Sequence, residues 1–254
     1  MTIGLLTDRQ VQLLNRVIEE YIQTAEPVSS KAIVDSGHFD VRSATIRNEM
    51  SDLEDAGLLA QRHTSGGRIP TARAYRLYVN DLVSREGIEI TTAARRRIDE
   101  ALNETDLKDP EAINRTLARL VGELSGNLVM ANMSEHEDAY KVGLSNMLNF
   151  PEFREIDRLM GLTSFFDHFD LMFERMHQQM WARNDNDVKV MIGTESPFKE
   201  VHDETVIVAR YPLPKGHKGS LTLVGPMRMD YRKNLGLMTY AAQIANRIAD
   251  NYRN

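Results

Sequence analysis

Residues 43–71 read SATIRNEMSDLEDAGLLAQRHTSGGRIPT, and this stretch decides the fold of the N-terminal third. Ile46, Met50 and Leu53 recur at helical spacing and predict a buried stripe, with Ser43 placed as the N-cap and Gly57 as the stop. If that stripe points inward, Ala44, Asn48 and Ser51 point outward, flanked by Thr45 and Arg47. These side chains gather toward the helix N-terminus, the end that a recognition helix presents to the major groove. Asn can pair bidentately with adenine and Arg with guanine, and an Ala or Thr methyl can meet the methyl of thymine. Residues 58–63 then read as a strand, 64–67 as a turn and 68–70 as the returning strand. Gly66-Gly67 supplies the backbone freedom that a tight hairpin needs. Two short strands after a recognition helix make a wing, with Arg62, His63, Ser65 and Arg68 at or near its tip.

Upstream, Thr7 can cap a helix whose apolar face is Val11, Leu14, Val17, Ile18, Tyr21 and Ile22, ended before Pro27. Ser29 or Ser30 can cap a short second helix that Gly37 stops. Downstream, Thr71 can cap a fourth through Tyr75, Tyr78, Val79 and Leu82. The expectation is a winged helix-turn-helix over 1–85. Its candidate DNA contacts are Ser43, Ala44, Thr45, Arg47, Asn48, Ser51, Arg62, His63, Ser65, Arg68 and Arg73.

The charge balance sharpens this. The 254 residues carry a net charge of −6, which by itself argues against nucleic acid. Yet residues 59–78 hold Arg62, Arg68, Arg73, Arg76 and His63 and no acid, so a basic surface sits on an acidic chain. The chain lacks cysteine, which excludes disulfides, thiolate nucleophiles and Cys-based zinc sites. With neither a secretory leader nor a long apolar span, the expected location is the cytoplasm.

Residues 86–254 predict an α+β domain. Helices are expected over 93–102 and 110–131, the second carrying an apolar stripe from Ile113 to Leu128. Pro151 is expected to start another helix, and Thr163 or Ser164 a further one to about Arg183. Strands are predicted at 188–192, 205–211 and 219–224, and a final helix starts after Asp230. Asp170, Glu174 and His177 lie at helical spacing, but one limb of a carboxylate metal site without a second is better read as an ordinary helix face. Arg95-Arg96-Arg97 reads as a solvated face. No phosphate loop, Gly-x-Ser-x-Gly or His-Glu-x-x-His string is present, so no enzyme, cofactor or metal is expected.

The strings LLTDRQ, EEYIQTAEPVSSKAIV, SATIRNEMSDLEDAGLL and HTSGGRIPTARAYRLYV resemble the HrcA family of heat-inducible transcription repressors. The resemblance resumes at VGLSNMLNFPEF and VGPMRMDYRKNLGLM. It implies a dimeric repressor that binds an inverted-repeat operator of the CIRCE type before chaperone and chaperonin operons, with a chaperonin as its regulating partner. The implied fold is a winged helix followed by a GAF-like domain that carries an inserted dimerising domain. Here Met133 is followed almost at once by the segment leading to VGLSN, so the insert and some strands of the GAF-like sheet are expected to be missing. The second half is thus a reduced GAF-like α+β domain with a small antiparallel sheet. Because GAF-like domains often bind ligands, a ligand-sensing winged-helix regulator of other genes is the alternative, ahead of a chaperone-binding adaptor without DNA binding.

Overall fold

The computed structural model describes residues 6–61, 66–84, 88–133, 138–170 and 188–252. They form two compact units, Met1–Glu86 and Gly87–Asn254.

The first unit begins with α1 (Asp8–Thr24). Thr7 caps it by accepting from the Gln10 amide, while Gln10 Oε1 accepts from the Thr7 amide in return, satisfying N–H groups that a helix start leaves open. Ser29 caps the short α2 (Ser30–Asp35). α3 (Ser43–Asp55) follows, but its N-cap is Arg42 and no side chain caps it. Ser43 is instead the first helical residue, and its Oγ lies 3.0 Å from Ser30 Oγ. The hydroxyl expected to cap α3 joins it to α2. β1 (Leu59–Gln61) and β2 (Arg68–Pro70) pair antiparallel, with Ala60 opposite Ile69. Val28 adds a third rung by exchanging both backbone hydrogen bonds with Arg68, at 2.9 and 2.8 Å. α4 (Ala72–Ser84) closes the unit. Its core is Leu13, Leu14, Val17, Ile18, Ile33, Ile46, Met50, Leu53, Tyr75 and Val79, all buried.

The second unit is a five-stranded antiparallel sheet in the order β4-β3-β7-β6-β5. The strands are β3 (Leu128–Met133), β4 (Tyr140–Val142), β5 (Lys189–Ile192), β6 (Glu204–Pro212) and β7 (Lys218–Pro226). Its helices are α5 (Thr92–Asn103), α6 (Pro110–Ser125), α7 (Leu144–Met147), α8 (Ile156–Asp167) and α9 (Tyr231–Asn251). Successive residues of β6 serve opposite faces. Thr205 meets the Tyr231 hydroxyl of α9 and Tyr211 meets Asn114 of α6. Val206 and Val208 enter a cluster with Met147, Phe153, Leu162, Phe165, Phe169 and Phe198.

Three sequence expectations change here. The helix expected over 110–131 ends at Ser125, because Gly126 takes φ 72° and its amide closes on Gly122. Leu128, expected to finish the helical stripe, opens β3, every residue of which is buried. Pro151 starts a 3-10 turn (Pro151–Arg154), with α8 beginning at Ile156. α8 runs through Thr163 and Ser164 without a new start and ends at Asp167 with His168 as its C-cap, and residues 171–183 of the helix expected to about Arg183 lie outside the described residues. The three predicted strands are present, and β3 and β4 are two more.

Candidate nucleic-acid interface

Only one face of α3 is committed to the core. Ile46, Met50 and Leu53 are buried, whereas Ala44, Arg47, Asn48 and Ser51 are exposed, with Ser43 and Thr45 half-buried beside them. No side chain caps α3; the Thr45 amide donates to the Arg42 carbonyl at 2.9 Å, and the Arg42 side chain beside this helix start is exposed. The positive end of the helix dipole and two arginines therefore share one surface, an arrangement suited to phosphate.

The acids of the same helix are partly neutralised from within. Glu49 is buried on the core side and forms an ion pair with Arg9 of α1. Glu54 accepts from Arg68 Nε at 2.9 Å. Asp52 and Asp55 are exposed in the C-terminal half of α3, Asp52 one turn beyond Asn48.

The segment after the wing holds that C-terminal end in place. Arg73 Nη1 donates to the Ala56 carbonyl at 3.0 Å. The Thr71 hydroxyl donates to the Gly57 carbonyl at 2.9 Å, and the Thr71 amide to the Leu58 carbonyl at 3.0 Å. These bonds satisfy carbonyls of the turn that follows α3, Ala56 being its C-cap. Gly67 lies so close to the Pro27–Val28 segment that a Cβ there would stand 2.5 Å from the Pro27 carbonyl oxygen. Glycine is required by this contact rather than by its dihedral angles.

Of the sequence-derived set, the structure brings Ser43, Ala44, Thr45, Arg47, Asn48 and Ser51 together on one helix. Arg68 and Arg73 stand at the wing base, each bonded to α3 or the turn after it. Arg62, His63 and Ser65 lie outside the described residues. Sequence reading missed Arg9, Glu49 and Glu54. Glu49 could have been found, since it sits on the helical face between Ile46 and Leu53.

The other candidate clusters have structural partners. Arg95 lies over the Tyr240 ring at 5.2 Å, Arg96 pairs with Glu100 at 2.6 Å and Arg97 with Glu123 at 3.1 Å. Asp170 accepts from Lys141 Nζ at 2.7 Å and from the Ala139 amide at 2.8 Å. Glu174 and His177 lie outside the described residues. Among the described residues no three His, Asp or Glu side chains are grouped to hold a metal, and no helix is long and apolar enough to cross a membrane.

A helix-turn-helix with a hairpin wing, followed by an antiparallel sheet wrapped by helices, defines a two-unit winged-helix transcription regulator. Residues 5–82 match the model of the winged helix-turn-helix transcription repressor HrcA DNA-binding domain, and residues 70–235 match that of the HrcA protein C terminal domain. The chain belongs to the HrcA family. Its relatives include the heat-inducible transcription repressors HrcA of Natranaerobius thermophilus, 28% identical over 94% of this chain and 95% of that one, and of Halalkalibacterium halodurans, 25% identical over 94% and 96%. The fold is also that of a crystal structure described only as a hypothetical protein, with a TM-score of 0.78, 19% identity and coverage of 97% of this chain and 99% of that one.

Proposed function

We propose that this protein represses heat-shock genes, those of chaperones and chaperonins, by binding an inverted-repeat operator as a homodimer in the cytoplasm. The observation that carries the reading is the exposed quartet Ala44, Arg47, Asn48 and Ser51 on a helix whose opposite side is buried. Small side chains let the helix approach the base edges, while Arg47 and Asn48 offer the donors and acceptors that read them. One helix contacts too few base pairs to find a single site in a genome, and two copies on an inverted repeat double the readout. Repression then follows from occlusion of the promoter, and a chaperonin is the partner that governs it.

The test pairs sizing with binding. The full chain is run by light-scattering chromatography at micromolar concentration. It is then titrated into an inverted-repeat duplex recovered by in vitro selection and into a scrambled duplex of equal length. A dimer with a marked preference for the repeat is expected. Asn48→Ala should lose about 1–3 kcal/mol on the repeat and little on the scrambled duplex. Equal losses on both would remove Asn48 from base reading, and a monomer indifferent to the repeat would overturn the proposal.

A further inference from the structure

The wing of a winged helix reaches DNA only if its base is held at a fixed angle to the recognition helix. Arg68 opens β2 at that base, and on sequence grounds it is a DNA contact. Its surroundings say otherwise. Its side chain is only 14% exposed, its Nε donates to Glu54 Oε2 at 2.9 Å, and Glu54 itself is 31% exposed. Its backbone is held by both hydrogen bonds to Val28, and it stands opposite Gln61 across the hairpin. A guanidinium fixed in this way has its directional donor turned toward the protein. Glu54 lies in the last turn of α3, whose N-terminal half carries the exposed Arg47 and Asn48.

We infer that Arg68 and Glu54 form a positioning pair that sets the wing against the recognition helix, so that Arg68 supports DNA binding through Glu54 rather than by touching phosphate. The inference rests on the DNA-binding reading above. It assigns opposite roles to residues that look alike in sequence: Arg47 faces outward to read, and Arg68 faces inward to hold. The partly buried pair is insulated from salt that would screen an exposed one. The angle of the wing therefore persists under ionic conditions in which phosphate contacts weaken.

The experiment uses the full chain and four variants: R68M, E54Q, the double variant, and the charge exchange E54R/R68E. Affinity for a 30-base-pair duplex recovered by in vitro selection is measured across a range of potassium chloride concentrations. Circular dichroism checks that each variant is folded. If the pair positions the wing, R68M and E54Q each weaken binding by about three- to tenfold, and the double variant is no worse than either single one. The charge exchange recovers much of the loss, and the slope of log K against log salt stays that of the parent. If Arg68 instead touches phosphate, R68M lowers that slope by about 0.9 and E54Q, which removes a nearby negative charge, strengthens binding. That outcome overturns the inference.

Amide hydrogen exchange of the free protein separates the two readings. E54Q should speed exchange at the Arg68 and Val28 amides, whether or not any duplex binds. Unchanged exchange there overturns the positioning pair. Failure of the parent chain to bind any duplex overturns the DNA-binding reading, and the exchange result still decides whether Glu54 holds the wing.

Discussion

Arg9, in the first turn of α1, is ion-paired with Glu49, on the buried side of α3. The recognition helix is thereby pinned to the start of the domain across 40 residues of chain. Removing Arg9 leaves a carboxylate facing the core with no partner. Arg9→Met should destabilise the first unit by about 1–2 kcal/mol, less than a fully buried pair would lose because Arg9 is half exposed. Combining it with Glu49→Leu should recover most of that loss, since an apolar replacement removes the stranded charge. Urea denaturation followed by circular dichroism reads both effects, and a double variant no better than Arg9→Met would show that the pair is not what matters there.

Gly67 offers a sharper test of the wing. A methyl group at this position meets the Pro27 carbonyl, so the strand must move away and break its rung with Val28. Gly67→Ala should cost at least about 2 kcal/mol, and it should weaken binding to specific and scrambled duplexes alike. Gly37→Ala is the control. Space is open there, but φ is +73°, so only the modest strain of a left-handed residue is expected.

In the second unit, Tyr211 is wholly buried and donates to Asn114 Oδ1 at 2.6 Å, while Asn114 Nδ2 donates to the Asn132 carbonyl at 3.0 Å. Burial pushes the Tyr211 hydroxyl far above its ordinary range, so it remains a neutral donor throughout the working pH range. Tyr211→Phe strands the Asn114 oxygen and should cost about 1–3 kcal/mol, by the same amount at pH 6 and pH 9. A loss that varied across that range would contradict a donor that does not titrate.

Glu204 has the opposite behaviour. It is buried at the start of β6 against Arg158, and burial outweighs the arginine, raising its carboxyl above the ordinary 4.5. The folded state therefore holds this proton more tightly than the unfolded chain does. Its contribution favours the native state at low pH and declines as pH rises from about the ordinary value through the raised one. Glu204→Gln should flatten that part of the stability profile. An unchanged pH profile in the variant would assign the dependence to other groups.

Much of the DNA-binding unit was legible because its signals are local. The caps Thr7 and Ser29 and the period of Ile46, Met50 and Leu53 each act within a few residues. What escaped the sequence was held by distant partners. Glu54 and Arg68 are 14 residues apart, and neither carries a mark of the other. β3 was misread for a different reason. A strand covered on both faces loses its alternation, and LVMANM continues the apolar count of α6 without a break in period. The signal that outranked it was Gly126, whose left-handed backbone ends the helix. The candidate reading face on α3 was legible from periodicity alone, whereas the bonds of Arg68 to Glu54 and of Arg73 to the Ala56 carbonyl join residues far apart in the chain.

Among the described residues β4 lies at the edge of the sheet and pairs with β3, Ala131 standing opposite Tyr140. Neighbouring strands run about 5 Å apart, so the chain leaves β3 and re-enters β4 at nearly the same place. Any module whose own two ends meet can be spliced between Met133 and Asp138 without disturbing the register of the other strands. The same junction is a ready socket for a fluorescent reporter that leaves both ends of the protein untouched.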